Sequence, residues 1–326
     1  MRRGDWAREM AAIREAADDD VIAVLRLEKL GVPQRTSYRR CQEDGPWLPM
    51  LPGILKLTTG PPTRRQRQIA ALLHAGEGAM ITGPGGLRLH GMRRAEETDT
   101  VHVLVDWSRQ VRSTGFAVIE RTSRLPEPQQ RDGLAVAPLV RCLTDTVRRI
   151  KNENALSALL TEPVQRRLLL VDEIREELDA GCRRGTAAPR AVLGAVARGV
   201  RSPAEFDALE FWDSLGLGPA EWNIPLLDPE DLSLIAVPDA VVRKVGFAWE
   251  IDSVEEHFAT IQQVLATKRR RQRLFDRNVY VVSTRPSERR TDPRGVRREI
   301  EKGLEIASRM PDPDVVYGEP PTGRRR

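Results

Sequence analysis

Val237-Pro238-Asp239-Ala240, a hairpin-sized gap, then Gly246-Phe247-Ala248-Trp249-Glu250-Ile251-Asp252 and, shortly after, His257 form the stretch on which the reading of this chain turns. Residues 241–251 have strand character, and residues two apart on a strand point to the same face. Glu250 and Asp252 therefore sit side by side in an apolar run, which is costly unless something compensates the two charges. Asp239 begins the preceding strand, so a hairpin would bring it beside Glu250. Asp239, Glu250 and Asp252 around one point make a hard oxygen site suited to Mg²⁺, which can polarise a phosphate and activate water. His257 lies close enough in sequence to assist proton transfer or to bind a phosphate. The alternative is a strand edge carrying two solvated acids.

Just beyond comes an apolar helical run that ends in Lys268-Arg269-Arg270-Arg271 and Arg273. Between Lys268 and Arg326 there are 17 Lys/Arg against 9 Asp/Glu, on a 326-residue chain whose net charge is only +5. A basic end on a near-balanced chain points to a polyanionic partner, and arginine, the main base here, grips phosphate in a bidentate way. A solvated helix face followed by a basic tail is the competing explanation.

At the other end, Val21, Val24, Leu25, Leu27 and Leu30 predict an apolar helix face closed by Gly31. After the turn at Val32-Pro33, a short polar helix carries Gln34, Arg35, Thr36, Ser37, Tyr38, Arg39 and Arg40, and a β-type stretch from Trp47 to Leu57 follows with a Pro-Gly turn inside it. This is the element order of a winged helix-turn-helix. In that arrangement the second helix enters the major groove, where Arg and Gln reach base edges while Ser37 and Tyr38 suit phosphates. A plain helical hairpin has the same outline.

Between the ends, a helix is expected over 63–75, with Thr63 capping it and Gly76 ending it. Strands are expected at 101–105 and 116–120, and helices at 137–150, 154–181, up to about 199, and 204–215. Later elements are strands at 233–237 and 278–283 and a helix over 294–309. Thr82-Gly83-Pro84-Gly85-Gly86 lacks the spacing of a phosphate-binding loop and reads as a helix start. His90 and His102 have no partner at metal-ligand spacing, and Cys41, Cys142 and Cys182 form neither a disulfide framework nor a zinc motif. With 40% hydrophobic and 30% charged residues, no membrane-length apolar run and no apolar stretch behind Met1-Arg2-Arg3, the chain reads as cytoplasmic, with no membrane partner.

Pro238-Asp239, Glu250-Ile251-Asp252 and His257 resemble the PD-(D/E)XK nuclease superfamily, in its branch similar to very-short-patch repair endonucleases. The whole chain resembles a group of actinobacterial proteins that join an AbiEi-type antitoxin winged helix to such a domain. The stretches carrying this are Gly31-Val32-Pro33 with Arg39-Arg40, Trp47 through Pro52-Gly53-Ile54, Ala70-Ala71-Leu72-Leu73, Leu87-Arg88-Leu89-His90-Gly91 and Gly199-Val200-Arg201-Ser202-Pro203-Ala204-Glu205. The resemblance implies metal ligation by Asp239 and Glu250, joined by Glu205 on the first helix of the nuclease core. The sequence departs from the superfamily pattern where Asp252 replaces the usual Lys, and Val254 and Glu256 replace the Arg and aromatic residue expected beside His257.

The expected fold is mixed α/β and multidomain. A winged helix would occupy 1–60, an αβ middle domain with a helical connector 61–201, a restriction-endonuclease-like core 202–310, and a mobile basic tail 311–326. The expected function is binding of double-stranded DNA with Mg²⁺- or Mn²⁺-dependent cleavage of phosphodiesters, carried by Asp239, Glu250, Asp252 and His257. The alternatives are a transcriptional regulator or antitoxin-like repressor with an inactive nuclease fold and a toxin-type protein partner, and a pure protein-interaction scaffold.

Overall fold

The computed structural model describes residues 10–252 and 261–318. The chain is mixed α/β and divides into two compact units, Met1–Arg149 and Ile150–Arg326. The boundary expected at 60/61 lies inside the first unit, and that at 201/202 inside the second. Among the described residues no helix is long and apolar enough to cross a membrane.

The first unit opens with α1 (Met10–Glu15), β1 (Val21–Ala23), α2 (Val24–Lys29), α3 (Gln34–Arg39) and the hairpin β2 (Leu48–Leu51) and β3 (Ile54–Lys56). The strands form an antiparallel sheet in the order β1-β3-β2. Ile13, Ile22, Leu27, Val32, Trp47 and Leu55 close a small core beneath it. Val21 belongs to a strand rather than to the expected helix, and Leu25 is 72% exposed, so the apolar face is narrower than the sequence suggested.

A five-stranded sheet follows, in the order β6-β5-β4-β8-β7. Its strands are β4 (Met80–Thr82), β5 (Val101–Asp106), β6 (Ala117–Thr122), β7 (Gln129–Arg131) and β8 (Leu134–Val136), accompanied by helices α4 (Arg64–Ala75), α5 (Gly83–Leu89) and α6 (Leu139–Val147). Helix α4 begins at a reciprocal cap. Thr63 Oγ1 accepts from Gln66 N at 3.2 Å, and Thr63 N donates to Gln66 Oε1 at 3.0 Å. The Gly-rich stretch does start a helix, and packing explains one of its glycines: a Cβ at Gly86 would lie 2.5 Å from Cys142 Sγ of α6.

On this sheet Glu120 is held by His102 Nδ1 at 2.6 Å and by both terminal nitrogens of Arg149 at 2.7 Å. Burial raises its pKa, but these partners outweigh burial and bring it down to about 2. A depressed carboxyl stabilises the fold above its unfolded pKa, and the contribution disappears as pH falls through the folded value. The wild-type margin over Glu120→Gln should therefore be present at neutral pH and be lost between about pH 4.5 and 2. With the half-exposed Arg149 discounted for screening, its size is on the order of 1–2 kcal/mol. Urea midpoints for the two proteins across that range would check this, and a gap independent of pH would contradict it.

The second unit begins with α7 (Glu153–Gln165), α8 (Val171–Ala180), α9 (Ala187–Ala197) and α10 (Pro203–Leu215). The single helix expected over 154–181 is two, broken where Arg167 takes a left-handed φ of 56°. Next come β9 (Glu221–Trp222), β10 (Leu226–Leu227), β11 (Leu234–Ala236), β12 (Ala240–Val242) and β13 (Phe247–Ile251), then α11 (Ile261–Asp276), β14 (Tyr280–Thr284), α12 (Pro286–Thr291), α13 (Pro293–Ala307) and β15 (Val316–Tyr317). The expected strand 241–251 is a hairpin, turned through a short 3-10 helix at Arg243–Val245. β15, in the region expected to be tail, pairs with β10, while residues 319–326 lie outside the described residues.

The central sheet runs β14-β13-β12-β9, with β12 antiparallel to both β9 and β13, and β14 parallel to β13. On one face, Trp212 of α10 lies 6.1 Å from Phe247 and 5.9 Å from Trp249. On the other, Val241 and Ala248 pack with Leu274 of α11 and with Leu226, Ile235 and Ala236 of the small sheet β11-β10-β15.

Candidate functional site

Strand alternation explains how the acids are placed. Phe247, Trp249 and Ile251 turn toward one face of the sheet, so Ala248, Glu250 and Asp252 turn toward the other, where α11 lies. The register of β12 and β13 pairs Ala240 with Trp249, and one step further sets Asp239 opposite Glu250. Asp239 Oδ2 accepts from Ile251 N at 2.6 Å, which fixes its carboxyl across the hairpin.

Asp239 and Glu250 are in low-dielectric surroundings. Glu250 is 5% exposed, and burial raises the Asp239 pKa from 3.8 to about 6, with further upward contributions from Glu205 and Glu250 that its hydrogen bond to Ile251 N and Arg270 only partly offset. Glu205 enters from the first turn of α10, a helix capped by Ser202 Oγ accepting from Glu205 N at 3.2 Å. Its Oε2 accepts from Asn223 Nδ2 at 2.6 Å and Arg201 N at 2.9 Å, and Asn223 N donates to the Asp239 carbonyl at 2.9 Å. Asn223 thus ties Glu205 to the strand that carries Asp239.

The basic run on α11 divides into two roles. Arg270 reaches Glu250 Oε1 at 2.9 Å, and Arg271 reaches Asp252 Oδ2 at 3.2 Å and Ser283 Oγ at 2.5 Å. Lys268, Arg269 and Arg273 remain exposed. Two residues that sequence reasoning missed complete the surroundings. One is Asn223; the other is Arg289 of α12, which is 7% exposed, donates to the Ala204 carbonyl at 2.8 Å and lies 5.9 Å over Trp249. Burial lowers the Arg289 pKa, opposed by attraction to Asp207 and Asp239. Neither carries a local motif; only the fold brings them to the acids.

Among the described residues, no three His, Cys, Asp or Glu side chains are arranged to hold one metal ion. Of the expected set Glu205, Asp239, Glu250 and Asp252, Asp239 stands opposite Glu250 and within electrostatic reach of Glu205, which accepts from Asn223, while Asp252 is drawn to Arg271. His257 lies outside the described residues. The pair still suits a hard cation. Among the described residues, the buried Glu250 Oε2 accepts no hydrogen bond, and Arg271 Nε lies 3.7 Å away. Mg²⁺ commonly takes only one or two protein carboxylates and completes its shell with water and substrate phosphate.

In the first unit, Gly31 at φ 83° turns the chain from α2 into α3. Gln34, Arg35, Tyr38 and Arg39 form one exposed face of α3. Ser37 is fully buried, its Oγ donating to the Pro33 carbonyl at 3.5 Å, and it therefore faces the core rather than a phosphate. The Arg40 guanidinium stacks 4.8 Å over Trp47, which ties the helix to the β2–β3 hairpin.

No protein-family model matches this chain, and no curated protein is significantly similar to it.

Proposed function

We propose that this chain binds double-stranded DNA and cleaves its phosphodiesters with Mg²⁺ or Mn²⁺, residues 1–60 acting as a winged helix and residues 202–310 as a PD-(D/E)XK-like nuclease domain. The observation that carries the reading is Asp239 set opposite Glu250 on two otherwise apolar strands, with Glu250 Oε2 accepting no hydrogen bond among the described residues. The element order β1-α2-α3-β2-β3, with a polar exposed face on α3, supports the DNA-binding part.

Asp239 and Glu250 would hold the cation, which supplies Lewis acidity toward a phosphate. Arg270, already on Glu250, is placed to balance charge beside a bound phosphate. Asp252, 46% exposed beside Arg271, is the carboxylate with access to solvent and serves as the base.

A second reading is favoured by a specific observation. The guanidinium groups of Arg270 and Arg271 already pair with Glu250 and Asp252. On that reading the second unit is an inactive nuclease fold, and the chain is an antitoxin-like transcriptional regulator with a toxin-type protein partner.

Thermal melts separate the two. Mass action stabilises a folded protein by about 1.4 kcal/mol at ten times the metal dissociation constant. Millimolar Mg²⁺ or Mn²⁺ should raise the melting temperature of the wild type but not of Glu250→Gln. Equal responses of both proteins would remove the metal site.

A further inference from the structure

The geometry points to a binding groove for an unpaired stretch of DNA between α11 and the edge strand β14, with Phe275 as its stacking platform. This deepens the DNA-directed reading of the second unit and rests on it. The groove is open, measures about 640 Å³, and is lined by Lys268, Arg269, Arg271, Gln272, Phe275 and Tyr280 among others. Lys268, Arg271 or Gln272, and Phe275 recur at helical spacing, so cations and one aromatic ring share a single stripe of α11. Phe275 is 55% exposed, although Leu274 beside it is fully buried and already anchors the helix to the sheet. Among the described residues β14 pairs only with β13, so its outer edge borders the groove.

The occupant follows from charge and ring together. Lys268 and Arg269 are exposed cations that track a phosphate backbone. An exposed aromatic face among them gains most from a base with a free π-face, which a paired and stacked duplex does not offer. Arg271 links the groove to the acids, because it lines the groove and its guanidinium reaches Asp252. A strand lying on Phe275 and Lys268 would therefore run toward the Asp239–Glu250 pair.

The test uses the full chain without divalent metal and follows fluorescence anisotropy of a labelled twenty-residue oligothymidylate and of the matching duplex. Phe275→Leu keeps an apolar side chain but removes the ring. It should weaken single-strand binding by about 5- to 100-fold and leave duplex binding within about twofold. Phe275→Trp should bind the single strand at least as tightly as wild type. Lys268→Ala with Arg269→Ala should lower the single-strand salt slope by about 1.4. Unchanged single-strand binding by Phe275→Leu, or equal losses on single strand and duplex, would overturn the groove. Tighter binding of oligouridylate than of oligothymidylate would assign the groove to RNA and overturn the DNA assignment. Phe275-dependent binding in a protein that never cleaves DNA would uphold the groove while removing the nuclease reading. Cleavage with no sensitivity to Phe275 would do the reverse.

Discussion

Asp239→Asn and Glu250→Gln are each expected to lower Mg²⁺-dependent DNA cleavage by on the order of 10³-fold or more, a loss matching removal of a metal ligand from a preorganised site. The amides keep the size of the acids and remove only the charge. Asp239→Asn still has an oxygen to accept from Ile251 N, so the hairpin should survive. Burial and the neighbouring Glu205 and Glu250 already disfavour the ionised form of Asp239, so neutralising it removes an unfavourable charge rather than a supporting one. An inactive Asp239→Asn protein should therefore melt no lower than wild type at neutral pH, which separates lost chemistry from lost folding. Activity within about tenfold of wild type in both variants would exclude the acid pair from the reaction.

The second large effect is on duplex binding. Arg35→Ala with Arg39→Ala should weaken binding by on the order of 10²-fold, from two charge-assisted contacts at roughly 1.5 kcal/mol each. The salt slope should fall by about 1.8. Both residues lie on the exposed face of α3 with Gln34 and Tyr38, and their loss removes no core contact. Arg40→Ala should behave differently: its guanidinium packs on Trp47, so part of its effect would appear as lost stability. An unchanged slope in the double variant, measured by anisotropy on duplex DNA over a salt series, would take α3 out of the interface.

Local chemistry made some of these features legible in the sequence. Thr63 and Gly76 mark the ends of α4 because caps are read within a few residues. Asp239 and Glu250 could be paired because a hairpin fixes register, and strand alternation then decides the face. The break at Arg167 was not legible, since Pro163 lies a turn earlier, inside α7, and a non-glycine residue takes the left-handed turn. The inward turn of Ser37 depends on which side of α3 meets the core, and the polar sequence of that helix gives no apolar stripe to show it. The clamp of Arg270 and Arg271 on Glu250 and Asp252 depends on α11 crossing back over the sheet, so a run that reads as DNA-binding is shared between the acids and the solvent. Asn223 and Arg289 reach the site through tertiary contacts alone.

Incubation of supercoiled plasmid with the purified full chain and millimolar Mg²⁺ or Mn²⁺ decides whether Asp239 and Glu250 support metal-dependent cleavage of DNA. Nicked or linear product is expected from the wild type, none in excess chelator and none from Asp239→Asn. Plasmid left intact by a wild-type protein that still binds it would contradict the nuclease account and leave the regulator reading in its place.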